Sequence, residues 1–216
     1  ITPRGTVTAK DPSREHPHSV LIEKGKVKNI DDRIVDISKT LSRKDVVIIS
    51  GNALDMNGNV AMMAGAAAGG NPGGAISGIL VEGARVIIPI GLEKLIPGSI
   101  QEAVKAAGRD KDLSYGMAVG LIPLIGKVVT ERDAAEILSH VTCTVIGKGG
   151  IHGGEGSTVM DVEGDEREVR KLLKIVVQIK GSGVSGEERS LEECVRGPKC
   201  VEHKGCIYKK RGSSWK

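Results

Sequence analysis

The chain has 216 residues, of which 39% are apolar and 27% charged, with a formal net charge of +4. That is an ordinary globular balance, which argues against disorder and is long enough for one full domain. Aromatic residues are nearly absent: there is no Phe, and only Tyr115, Tyr208 and Trp215 are present. The core must therefore be built from Ile, Val, Leu, Ala and Met. Nucleic acid is disfavoured as a partner, because single strands are gripped by stacking bases on aromatic platforms. Much of the positive charge sits in Lys209, Lys210, Arg211 and Lys216, which reads as a solvated basic tail. No window has the run of about 18 apolar residues that a membrane span needs, so no membrane partner is expected and the setting reads as cytoplasmic. Gln occurs only at 101 and 178, which leans toward a thermophilic source.

In chain order, residues 1–28 offer two short strands, Thr6 to Ala9 and Ser19 to Glu23, as an N-terminal hairpin or lid ending in a turn at Lys24-Gly25-Lys26. Ile34, Ile37 and Leu41 stand at helical spacing behind Asp31 and Asp32, which predicts a helix over 31–42. Val46 to Ile49 is a continuous β-branched run, the pattern of a strand covered on both faces in a parallel sheet. A glycine-rich loop, 50–59, follows.

Val60 to Ala68 and Ala75 to Val81 read as two small-residue helices separated by a break at Gly69-Gly70-Asn71-Pro72-Gly73-Gly74. Arg85 to Ile90 predicts a second buried strand. Ser99 and Glu102 form a capping-box pattern ahead of a helix over 100–107. Residues 108–118 read as a polar, mobile loop.

Leu121 to Ile125 predicts a further strand, Thr130 to Asp133 a helix start, and Val141 to Ile146 another strand. The second glycine-rich loop, 146–157, leads to a strand over 158–163. A helix beginning at Gly164-Asp165 then carries Val169, Leu172, Leu173, Val176 and Val177 on one face. Strands alternating with helices predict an α/β fold with a Rossmann-like layered domain and a mostly parallel sheet over 1–180. Gly181 to Gly186 reads as a linker to a short cysteine-bearing C-terminal tail, 181–216.

The two glycine-rich loops are the candidate site. In the first, Gly51, Asn52, Asp55, Asn57 and Asn59 either bind hydroxyls, with Asp55 as a general base, or serve as turn formers whose side chains bond nearby backbone. In the second, Lys148, Gly149, Gly150, His152, Gly153, Gly154, Glu155 and Ser157 bring a histidine and a carboxylate among amides able to cradle an anion. The alternative there is a solvated hairpin connection. Glu93 and Lys94, after the strand ending at Ile90, are candidate contacts or an exposed pair at a helix entry. Neither loop matches the Walker or dinucleotide fingerprints.

In the tail, Cys194, Cys200, His203 and Cys206 offer thiolates and an imidazole for zinc, at a spacing unlike that of common structural sites. Free thiols, or a disulfide such as Cys200 to Cys206, are the alternatives. Cys143, inside a strand, reads as a small buried hydrophobe.

Ser50-Gly51-Asn52-Ala53-Leu54 with Asn57-Gly58-Asn59-Val60-Ala61, followed by Arg85 to Pro97 with its Gly91-Leu92-Glu93-Lys94-Leu95-Ile96 helix entry, resembles the lactate-utilisation (LUD) domain family. That family belongs to the ribose-5-phosphate isomerase and CoA-transferase-like fold group. The resemblance covers residues 50–108. It implies a Rossmann-like three-layer domain with its ligand at the strand ends near 50–59 and 91–94. In CoA-transferase-like proteins a loop glutamate can take up an acyl group, a role the resemblance extends to Glu155.

The expectation is a protein that binds a small anionic metabolite between the two loops, a CoA thioester, sugar phosphate or hydroxy acid, with acyl-transfer or isomerase-type chemistry carried by His152, Glu155 or Asp55. The competing expectation is a non-catalytic module that forms homo-oligomers through the small-residue segments 60–81. Fold alone does not choose between them.

Overall fold

The computed structural model describes residues 17–152, 154–182 and 203–207. Strands β1 (Val20–Glu23) and β2 (Lys26–Asn29) form a hairpin. Its two-residue turn, Lys24-Gly25, has positive φ at both positions (50° and 75°), the twist that matches antiparallel strands. The partner of β1 is thus 26–29; the expected strand at Thr6 to Ala9 lies outside the described residues. Asp31 closes the base of the hairpin, its carboxylate accepting the Ser19 N–H at 2.6 Å. With Asp31 so used, helix α1 is shorter than expected, Ile34–Ser38.

Strand β3 (Val46–Ile48) leads to a hairpin of β4 (Ala53–Leu54) and β5 (Val60–Ala64). The expected helix over 60–68 is therefore a strand to Ala64. Ala and Met favour helix, but β5 is paired on both sides, which overrides that weak preference. Ala61 is fully buried and Val60 nearly so, while Met62 and Met63 stay part-exposed. A 3-10 turn, Ala67–Gly69, leads into helix α2 (Gly70–Val81). The tract read as a break is its first turn, where Pro72 is tolerated because the N–H it lacks would have no helical partner.

Strand β6 (Arg85–Pro89), a 3-10 turn (Leu92–Lys94) and helix α3 (Ile100–Ala106) follow. The Ser99 side chain caps α3 by accepting the Glu102 N–H, as the pattern predicts. The loop expected to be mobile, 108–118, is anchored. Gly116, Met117 and Ala118 are buried, and Arg109 Nε donates to the Gly65 carbonyl at 2.8 Å. Residues 203–207 seat on this loop: Ser114 N–H donates to the Gly205 carbonyl at 2.8 Å and Ile207 N–H to the Ser114 carbonyl at 3.1 Å.

Strands β7 (Gly120–Leu124) and β8 (Lys127–Val129) precede helix α4 (Glu131–Leu138), which has a full capping box between Thr130 and Asp133. Strands β9 (Val141–Gly149) and β10 (Ser157–Gly164) form a long hairpin, and helix α5 (Glu166–Ile179) closes the order. No described helix is long and apolar enough to cross a membrane.

The fold is α/β, and among the described strands the parallel pairs are those of the sheet β3-β6-β8. The sheets β4-β5-β7, β1-β2 and β9-β10 are antiparallel, which corrects the expectation of a mostly parallel sheet. Hairpin turns at 24–25, 55–59 and 150–156 return the chain directly; of these, only the one after the first glycine-rich loop stands where a helix was expected to follow. β3 is an edge strand with Val46 and Ile48 exposed, so its β-branched run is covered on one face only. Leu54, Val60, Ile88 and Ile90 form one core cluster, and Ala53, Ala61 and Ile100 a second. Ala135, Cys143 and Leu172 form a third, between the β9-β10 hairpin and its two helices. Cys143 is buried, as its strand position predicts, and burial, followed by the nearby Glu136 carboxylate, pushes its thiol pKa up.

Candidate functional site

In open α/β sheets, ligands bind where parallel strands end at their carboxyl edge, because the chain there leaves the sheet in loops with free backbone groups. Three such ends meet here. Ile49 N–H still donates to the Ile87 carbonyl, and Ile90 N–H to the Val129 carbonyl. The segments 50–52, 91–94 and 130–131 therefore leave β3, β6 and β8 at one edge.

The turn after β6 is held from two sides. Leu92 N–H donates to a Glu131 carboxylate oxygen at 2.8 Å, and the Lys148 ammonium donates to the Leu92 carbonyl. Lys148 lies on β9, so its contact brings the second glycine-rich segment onto the turn. Gly156 completes the approach: a Cβ there would stand 3.1 Å from the Glu93 Cβ. Glu93 and Lys94 form a half-exposed ion pair at 3.8 Å. The result is a surface site with two ammonium groups, Lys94 and Lys148, beside the carboxylates of Glu93 and Glu131. An incoming anion would be attracted by the lysines and would compete for them with those carboxylates.

Comparison with protein-family models, with curated proteins and with solved structures returns no match.

The second segment is a hairpin rather than an open phosphate loop. β9 runs to Gly149 and β10 begins at Ser157, so Lys148, Gly149 and Ser157 belong to strands. Gly150 has φ +130°, and a Cβ there would meet the Gly154 carbonyl oxygen at 1.7 Å, so only glycine fits. Gly154 N–H donates to the Ile151 carbonyl and Ser157 N–H to the Gly154 carbonyl, which folds the tip on itself. His152 is exposed at this tip in a left-handed conformation, φ 53°, and Glu155 is exposed beside it. Gly153 lies outside the described residues.

The first segment does different work. Asp55 is 2% exposed, and both its oxygens are engaged. Oδ1 accepts the N–H groups of Asn57 and Asn59 at 2.9 Å, while Oδ2 accepts the Asn59 side-chain amide at 2.9 Å and the Ile100 N–H at 3.0 Å. Burial would raise its pKa, but these donors outweigh burial and hold it at about 2. A carboxylate accepts about four hydrogen bonds, so Asp55 is filled. The turn-forming reading of Asp55, Asn57 and Asn59 describes this geometry, and a general base at Asp55 does not fit it. Asn52 Oδ1 accepts the Met63 N–H at 2.9 Å, a bond across the hairpin. Gly51 is a packing position, where a Cβ would overlap Val60 Cγ1 at 2.2 Å.

In the tail, Cys206 is buried against the 110–114 loop, with Ser114 paired to it and Lys204 Nζ 3.2 Å from an Asp110 carboxylate oxygen. His203 stands three residues before it. Cys194 and Cys200 lie outside the described residues. Among the described residues no three His, Cys, Asp or Glu side chains group as metal ligands.

Glu131 is the site residue that sequence reasoning missed. It was read only as part of a helix start. The sequence reading has no strand over 127–129, so nothing there marks Glu131; its place two residues after β8 is equivalent to that of Gly91 after β6.

Proposed function

We propose that this chain binds a small anionic metabolite, of the CoA thioester, sugar phosphate or hydroxy acid class, at the carboxyl edge of β3-β6-β8. The observation that carries this reading is the Lys148 ammonium on the Leu92 carbonyl, which joins the second glycine-rich segment to the Gly91–Lys94 turn. Lys94 and Lys148 supply the charge, and Leu92 holds both of its backbone groups in fixed bonds that orient the turn. His152 and Glu155, at the adjoining hairpin tip, are the groups for proton transfer or for acyl uptake on the Glu155 carboxylate, as kinship with the CoA-transferase-like group would have it. Rossmann-like layering around the parallel sheet and a cytoplasmic setting belong to the same proposal.

The test is a thermal-shift titration of the full chain with acetyl-CoA, ribose 5-phosphate and lactate. A ligand of the native state raises its apparent stability by about 2.7 kcal/mol at a hundredfold excess over Kd. One of the three is expected to raise Tm for the wild type and to lose that effect in Lys148→Ala and Lys94→Ala. Without ligand, both variants should melt within a degree or two of the wild type, because neither side chain is buried. No stabilisation by any of the three, or stabilisation that survives both substitutions, would sink the reading.

A further inference from the structure

The two carboxylates at the Gly91–Lys94 turn are held differently. Glu131 is fixed by the Leu92 N–H at 2.8 Å. For Glu93, among the described residues, the polar contact is Lys94 Nζ at 3.8 Å, beyond hydrogen-bond length, and its side chain is 42% exposed.

What places Glu93 is space. A Cβ on Gly91 would run into the Glu93 carboxylate, meeting both oxygens and the carbon between them. The Gly91 backbone is ordinary extended chain, φ −74° and ψ 142°, so conformation does not call for glycine there. Its missing side chain leaves a notch, and the carboxylate lies in it. Gly156, just ahead of β10, closes the other side: a Cβ there would stand 3.1 Å from Glu93 Cβ and 3.7 Å from Glu93 Cγ. Two glycines from distant segments thus make room for one carboxylate. It rests beside Lys94, on the turn whose Leu92 carbonyl accepts from the Lys148 ammonium.

An anion drawn to these lysines must take the place of Glu93, whose half-exposed side chain is able to swing out to water. Glu93 is tethered to the turn it occupies, and a short tether acts like a competitor at a concentration on the order of millimolar. A monocarboxylate brings the same charge as the group it displaces and also gives up its own freedom of movement, so it gains little. A phosphate monoester carries about −1.5 to −2 charge at neutral pH and three acceptor oxygens, enough to engage both Lys94 and Lys148.

On the anion-site reading above, on which this rests, we infer that Glu93 is an internal competitor for the anion seat and sets the threshold for entry: a phosphate monoester passes it and a monocarboxylate does not. Of the three ligand classes, sugar phosphates and CoA thioesters carry phosphate, and simple hydroxy acids fall below the threshold.

The test is a ¹H–¹⁵N titration of the full chain with inorganic phosphate and with acetate, followed at the amides of Gly91 to Lys94. It is run on the wild type and on Glu93→Gln, which keeps the shape of the side chain and removes its charge. The wild type is expected to bind phosphate at least about fivefold more tightly than acetate, the order of one exposed charge pair. In Glu93→Gln both anions are expected to bind more tightly than in the wild type, again by about fivefold. Affinities that Glu93→Gln leaves unchanged or weakens overturn the inference, as does a wild type that binds acetate as tightly as phosphate, a comparison that stands even if the variant fails to fold. Silence of both anions on both proteins overturns it too. The anion-site reading itself falls only if acetyl-CoA, ribose 5-phosphate and lactate also leave the wild type unstabilised, so the two failures are distinct.

Discussion

Replacing Asp55 with alanine leaves the N–H groups of Asn57, Asn59 and Ile100 without their acceptor. Unsatisfied buried donors cost about 1–3 kcal/mol each, partly relieved by water, so Asp55→Ala is expected to lower unfolding stability by about 3 kcal/mol in urea titration. The pH dependence follows from the direction of the shift. Native Asp55 titrates at about 2, below its ordinary value of 3.8, so its contribution is complete above the ordinary value and is lost as pH falls toward about 2. Between pH 4 and 2 the wild type should therefore lose stability more steeply than Asp55→Ala, and parallel curves would contradict the assignment. In the sequence this residue was legible as one of a turn-forming cluster. Its fourth partner was not, because Ile100 lies 45 residues away and no local pattern announces that a helix start will dock on a hairpin tip.

At the scale of elements, the β9-β10 tip depends on backbone geometry more than on side chains. Gly150→Ala places a Cβ within 1.7 Å of the Gly154 carbonyl oxygen, and the tip must rearrange at a cost of about 1–3 kcal/mol. The expected result is faster amide exchange over 149–157, with the three core clusters unaffected; unchanged exchange at the tip would refute the geometry. Element type was legible where capping or β-branching was strong, as at Ser99, at Thr130 with Asp133 and in β9. It was illegible at 60–68, where small apolar residues suit a helix and a buried strand alike and only pairing with β4 and β7 decides. It also failed at 69–74, where glycine and proline mark a helix start as readily as a break. The apolar stripe of α5 was read correctly as a stripe, yet among its five members only Leu172 is buried, because the two-stranded sheet beneath is too narrow to cover the rest.

For the whole molecule, alternation of strands and helices made the α/β class legible, while the division into one parallel and several antiparallel sheets was not. The two three-stranded sheets each draw in strands far apart in the chain, and β3, β6 and β8 are brought together by core contacts around Ile88 and Ile90 that no local period encodes. The same assembly creates the candidate site: both glycine-rich segments are largely taken up in hairpins, and at the carboxyl edge the Gly91–Lys94 turn is clasped by Glu131 and Lys148. A direct measurement of that claim is a ¹H–¹⁵N correlation titration of the wild type with acetyl-CoA, ribose 5-phosphate and lactate in turn. The account expects one of the three to shift the amides of Gly91 to Lys94 and of Lys148 to Ser157, while those of Asn57 to Asn59 stay in place. Shifts centred on Asn57 to Asn59, or no shift from any of the three, would contradict it.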